Sequence, residues 1–286
     1  MSHNAHGMFL RSIAFRLPVA IRSSLFTAHQ TRLLSLSHSP MQGQQFSFPL
    51  QLPNPQSIVT LQKVPNPFTA NPISPNTESG LQTYLERNKA WAHRTAEAKP
   101  DLFPALAKSQ HPSILWIGCS DSRAPETTLL DLDPGQVFVH RNIANVLPAT
   151  DLSSQSVIYY AVEHLKVQHV VICGHIGCGG VNAALANGSL GLLDTWLAPV
   201  RRLREENAHH WEHLDAAEKA VKLIEANVEA GVRTVRENAV VIKAEKASGL
   251  KVHGCVYDVG TGLLRELKCD EEKKEHEDRV DAFELK

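Results

Sequence analysis

Short apolar runs alternate with longer stretches of helical composition along the middle of this chain. Ile114-Leu115-Trp116-Ile117-Gly118, Val137-Phe138-Val139 and His169-Val170-Val171-Ile172-Cys173-Gly174 are unbroken by turn residues. Runs of this kind, with helical stretches between them, read as strands buried on both faces of a parallel sheet. Helical composition spans 81–98, with Thr77 as its cap, and then about 102–110. A helix over about 152–167 supplies the crossover that parallel pairing needs. Three helical segments follow between about 192 and 246, with breaks expected near Asn207 and around Asn227 and a terminator at Gly249. Residues 251–258 alternate as a strand, and Gly260-Thr261-Gly262 turns the chain into a partner over 263–268. The expected class is α/β, a mostly parallel central sheet of about four parallel strands plus an antiparallel edge strand, flanked by helices.

The pattern stops at both ends. Residues 41–76 are rich in Pro, Asn, Gln and Ser, as in Pro53-Asn54-Pro55 and Pro72-Ile73-Ser74-Pro75, and read as linker because proline continues neither helix nor central strand. Residues 1–40 space Arg11, Arg16, Arg22 and Arg32 among apolar residues and serines with no acid. This is the composition of a mitochondrial transit peptide, with a plain disordered tail as the alternative. The expected location is the mitochondrial matrix after cleavage, or the cytoplasm if the segment is inert. The folded domain is expected over 77–270, and the charged tail 271–286 as a solvated surface segment.

Charge narrows the partners. No Asp or Glu precedes Glu78, and the five cations of that stretch, against an overall net charge of −1, leave the remainder at −6. An acidic body lacks the basic stripe that nucleic acid requires and is repelled by anionic membranes, so neither is expected as a partner. No apolar run approaches the roughly 18 residues of a membrane span. The five cysteines are too few for a disulfide scaffold, and an odd number leaves one unpaired, which favours reduced thiols.

Three of the residues that follow strands have metal-binding chemistry. Zinc takes thiolate and imidazole ligands tetrahedrally, and a catalytic site keeps one position open. Cys119 directly follows the first strand, and His175 with Cys178 follows the third, so all three fall at carboxyl edges where ligands converge. Cys119-Ser120-Asp121-Ser122-Arg123 also packs a thiol, a carboxylate and a guanidinium into five residues with no packing reason to be there.

Four blocks carry a resemblance to the β-class carbonic anhydrases: 117–123 (Ile-Gly-Cys-Ser-Asp-Ser-Arg), 134–138 (Pro-Gly-Gln-Val-Phe), 141–145 (Arg-Asn-Ile-Ala-Asn) and 174–180 (Gly-His-Ile-Gly-Cys-Gly-Gly). The resemblance extends over about residues 80–268. It implies one Zn2+ per subunit held by Cys119, His175 and Cys178, and hydration of carbon dioxide to bicarbonate and a proton by zinc-bound hydroxide. Asp121 and Arg123 are implied as a dyad beside the metal, and a second state is implied in which Asp121 becomes the fourth ligand. Gln110, Phe138, Ile143, Tyr160 and the Gly179 N–H are implied at the substrate cleft. Trp116, Arg141 and Tyr160 match a trio that binds inhibitory bicarbonate in some members, although Arg141 equally suits an interface ion pair and Trp116 simple packing. A homodimer or dimer of dimers is implied. Two rival readings keep the metal: hydrolysis of carbon disulfide or carbonyl sulfide, and a non-catalytic protein that binds zinc or bicarbonate.

Overall fold

The apolar runs form the middle of a mixed sheet. In the computed structural model, which describes residues 80–285, the strands are β1 (Ile114–Cys119), β2 (Val137–Asn142), β3 (His169–His175), β4 (Lys251–Asp258) and β5 (Leu263–Glu266). Their order is β2-β1-β3-β4-β5. The first four are parallel and β5 pairs antiparallel with β4. Segment 1–40, linker 41–76 and Thr77 lie outside the described residues.

The helices are α1 (Leu81–Ala98), α2 (Leu102–Leu106), α3 (Glu126–Leu129), α4 (Leu152–Tyr159), α5 (Gly179–Leu185), α6 (Leu192–Trp196), α7 (Ala198–Glu206), α8 (Ala216–Arg236), α9 (Ala239–Ser248) and α10 (Lys273–Phe283). The second helix is shorter than expected, ending at Leu106, and the chain then runs through turn and loop past Pro112 into β1. Over 152–167, α4 passes into a π-helical turn at Tyr160–His164.

The break expected at Asn227 is absent. α8 begins with a capping box, in which the Glu218 N–H donates to the Asp215 carboxylate (2.8 Å) and the Asp215 N–H to the Glu218 carboxylate (2.9 Å). It then runs unbroken to Arg236. Leu223, Ile224, Val228, Val232 and Val235 recur at helical spacing and pack with Leu115, Ile117, Val170 and Ile172 of the sheet. Each such side chain contributes about 1.5–3 kcal/mol on burial, so one asparagine does not interrupt the helix. The break falls at Glu237–Asn238, where the Asn238 side chain accepts from the Val240 N–H and caps α9. Gly249 ends α9 at φ 70°, as its position predicted.

A smaller apolar cluster on the other sheet face holds Trp116, Ala124, Cys173, Cys255 and Tyr257. The 271–286 tail is not merely solvated: it forms α10, and Arg279 is buried. Arg279 donates to Glu271 (2.7 and 2.9 Å) and Glu245 (3.2 Å), which docks the helix against the body.

The strand order sets the position of the site. The chain leaves β1 toward β2 on one side and returns to β3 on the other, so the carboxyl ends of β1 and β3 flank the point where the order reverses. Open α/β sheets place their ligand crevice there.

Candidate metal centre

Cys119 is the last residue of β1, His175 the last of β3, and Cys178 precedes the first residue of α5. All three are buried, and one ligand atom from each lies within 4.8 Å of the others, the sole such grouping among the described residues. The two sulfurs are 3.9 Å apart. Thiolates at about 2.3 Å from a tetrahedral zinc would stand about 3.8 Å from each other.

The donors also fit a metal electronically. His175 Nδ1 donates to the Ile176 carbonyl at 3.2 Å, since a carbonyl can only accept, and this leaves Nε2 as the free lone pair. That Nε2 is buried without a hydrogen-bond partner. The Cys119 thiol is pushed down, chiefly by the hydrogen bond from Cys178 and also by the His175 ring and the Asp121 backbone N–H, against burial that pushes it up. Cys178 is driven far upward by the same neighbour and by burial. The hydrogen bond between the two sulfurs thus favours one thiolate and disfavours a second beside it. An unpartnered buried imidazole nitrogen and two converging thiols constitute a zinc-type donor set.

Asp121 lies beside this cluster, one oxygen 3.7 Å from His175 Nε2. Arg123 holds it from both sides of its fork, Nε to Oδ1 at 2.9 Å and Nη2 to Oδ2 at 2.7 Å, with its backbone N–H also donating to Oδ1 at 2.9 Å. The guanidinium hydrogen bond, more than any other influence, lowers Asp121 to about pKa 2. Arg123 also donates to the Gly177 carbonyl (3.2 Å), tying the loop after β1 to the loop after β3. The carboxylate is thus on its arginine in this structure.

The remaining expected site residues divide. Phe138 and Tyr160 pack together with ring centroids 5.7 Å apart. Ile143 is exposed in the short turn after β2. Gly179 is the first residue of α5. Gln110 is exposed in the loop before β1, with no hydrogen bond to its amide among the described residues.

The trio Trp116, Arg141 and Tyr160 is not assembled. Trp116 pairs with Val139 and Gly118 with Arg141, which puts Trp116 and Arg141 on one sheet face by strand alternation. Phe138, and Tyr160 with it, belongs to the opposite face. The tyrosine that shares a cluster with Trp116 is Tyr257. Arg141 is occupied locally, donating to the carbonyls of Cys119 (2.8 Å) and Asp121 (2.5 Å) and facing Glu126 at 3.6 Å. It pins the backbone that carries both site residues.

Sequence reasoning also passed over Ala144, whose N–H donates to Cys119 Sγ at 3.3 Å from a left-handed conformation at φ 61°. No residue-type signal marks it, because the contact is made by backbone.

The carbonic anhydrase family model matches residues 114–264. A carbonic anhydrase of Emericella nidulans is 44% identical over 212 residues, 72% of this chain and 92% of that protein. The crystal structure of the β-carbonic anhydrase CafA of Aspergillus fumigatus is 51% identical and superposes with a TM-score of 0.71 over 72% of this chain and 99% of that one. One of two tetrameric β-carbonic anhydrases of Sordaria macrospora is 47% identical, with a TM-score of 0.65 over 67% of this chain and 98% of that one. By its fold, its four motif blocks and these relatives, the chain belongs to the β class of the carbonic anhydrases.

Proposed function

We propose that this enzyme hydrates carbon dioxide reversibly with zinc bound by Cys119, His175 and Cys178. The observation that supports this most is the buried, unpartnered His175 Nε2 grouped within 4.8 Å of two thiol sulfurs that stand 3.9 Å apart. Zinc there would supply Lewis acidity and ionise a water at moderate pH.

The protein groups have separable tasks. Asp121, at about pKa 2, stays a carboxylate throughout the neutral range. It is too weak a base to remove a proton efficiently, since a general base works best near the ambient pH. Its role is to accept a hydrogen bond and so aim the attacking water, and Arg123 fixes it for that purpose by a two-point ion pair. Phe138, Ile143 and Tyr160 offer an apolar wall suited to carbon dioxide, and the N–H of Gly179 and the amide of Gln110 offer donors to the bicarbonate oxygens.

The cleft is completed by a second copy in this reading. α1 buries none of its residues and exposes Leu81, Tyr84, Leu85 and Trp91, an apolar face that a partner would cover. A dimer or a dimer of dimers follows, in keeping with the tetrameric Sordaria relatives. Residues 1–40 would direct mitochondrial import on composition alone.

Stopped-flow carbon dioxide hydration with zinc content measured in parallel tests the activity. Hydration must disappear on chelation and return with zinc. A zinc-loaded protein inert toward carbon dioxide but active on carbonyl sulfide would transfer the reading to the hydrolase alternative. Sedimentation that finds only monomers would remove the dimer.

A further inference from the structure

α8 buries a face of Leu223, Ile224, Val228, Gly231, Val232 and Val235, and within it sits one amide, Asn227, 5% exposed. A polar side chain in that position needs a partner inside the protein. Its Nδ2 donates to the Ala144 carbonyl at 2.9 Å. Ala144 and Asn145 are consecutive non-glycine residues with positive φ, 61° and 43°, a conformation that persists only where the surroundings impose it. The N–H of Ala144 donates to Cys119 Sγ at 3.3 Å. On the far side the turn abuts Gly180 of α5, where an added Cβ would lie 2.9 Å from that of Ala144. The strained turn is therefore held between an amide clamp on one side and a close helix approach on the other, and its outcome is an N–H aimed at one sulfur.

From this arrangement we propose that Asn227 is a positioning residue for the metal centre. It holds the left-handed Ala144–Asn145 turn so that the Ala144 N–H bonds the Cys119 sulfur and limits how strongly that thiolate donates to the metal. The proposal rests on the reading of Cys119 as a ligand.

Cobalt(II) substituted for zinc reports the thiolate directly through its sulfur-to-metal charge-transfer absorption. In Asn227→Leu, which keeps the side-chain branching and removes the donor, the band should move to lower energy as the sulfur loses its hydrogen bond. The cobalt dissociation constant should nevertheless rise about 10–100-fold, because the released turn no longer holds the Cys119 sulfur in place and that loss outweighs the stronger donation. Adding Ala144→Gly, which takes positive φ without strain, should bring the band back toward that of the parent. A folded Asn227→Leu protein with the parent band and affinity would overturn the proposal, because a purely structural asparagine would lower thermal stability and leave both unchanged. Should that variant not fold, Asn227→Ala removes the same donor without added bulk, and a parent band and affinity there would be equally fatal. Undiminished band intensity in Cys119→Ser would instead refute the ligand assignment underneath.

Discussion

Replacing Arg123 by alanine removes a guanidinium that donates twice to Asp121, at 2.9 and 2.7 Å. Asp121 is lowered from 3.8 to about 2, foremost by that side-chain hydrogen bond. At 1.36 kcal/mol per pKa unit the interaction stabilises the fold by at most about 2.5 kcal/mol. Arg123 is half exposed, and solvent screening brings the expected loss to about 1 kcal/mol. The carboxylate's folded pKa is depressed, so this stabilisation is complete above its unfolded value near 4 and is lost as pH falls toward 2. Urea denaturation of parent and variant should therefore differ by a constant amount from about pH 7 to 5 and converge below 4. The Asp121 carboxyl resonance should titrate nearer its ordinary value in the variant. Without its anchor the carboxylate is also free to swing toward the cluster, with His175 Nε2 only 3.7 Å away. Carbon dioxide hydration should then fall about 10–100-fold across pH 6 to 9 with zinc still bound. A variant that hydrates as fast as the parent, or whose Asp121 still titrates near 2 in zinc-free protein, would refute the role given to the pair.

Cys119→Ser, His175→Ala and Cys178→Ser should each lose zinc, because a hard hydroxyl or a methyl replaces a needed donor. Elemental analysis that finds stoichiometric zinc in any two of them would discard the ligand set. Parent hydration activity should climb with pH to a midpoint above roughly 7, since two thiolates make zinc a weaker Lewis acid than three imidazoles would, and a flat profile between pH 6 and 9 would contradict this. Arg279→Ala should destabilise the fold by about 3 kcal/mol in urea, because it strands the carboxylates of Glu271 and Glu245 beneath α10; a change under about 0.5 kcal/mol would mean that α10 is not anchored there. Residues 1–40 fused to a fluorescent reporter should give a mitochondrial pattern, and diffuse cytosolic fluorescence would end the targeting claim.

Strand identity, the parallel sheet and the family were legible in the sequence because each rests on local order. Unbroken apolar runs specify doubly buried strands, and thiol and imidazole directly after such strands fall at one sheet edge whatever the loops do. Local composition does not carry the direction a side chain faces across long separations. Asn227 reads as a helix breaker when taken with its neighbours, and only the packing of α8 on the β2 turn reveals the carbonyl it serves. Tyr160 stands as the companion of Trp116 until strand register puts Trp116 on the face opposite Phe138, on which Tyr160 packs. Arg141 has the look of an anion ligand, yet the fold commits its guanidinium to two loop carbonyls. The charged tail contains the residues of a solvated segment, but Arg279 finds Glu245 only once α9 and α10 are side by side. Chemistry borne by residue type was thus readable along the chain. Chemistry borne by backbone, as in the Ala144 N–H on Cys119, depends on a turn that distant helices impose, and only tertiary structure decides it.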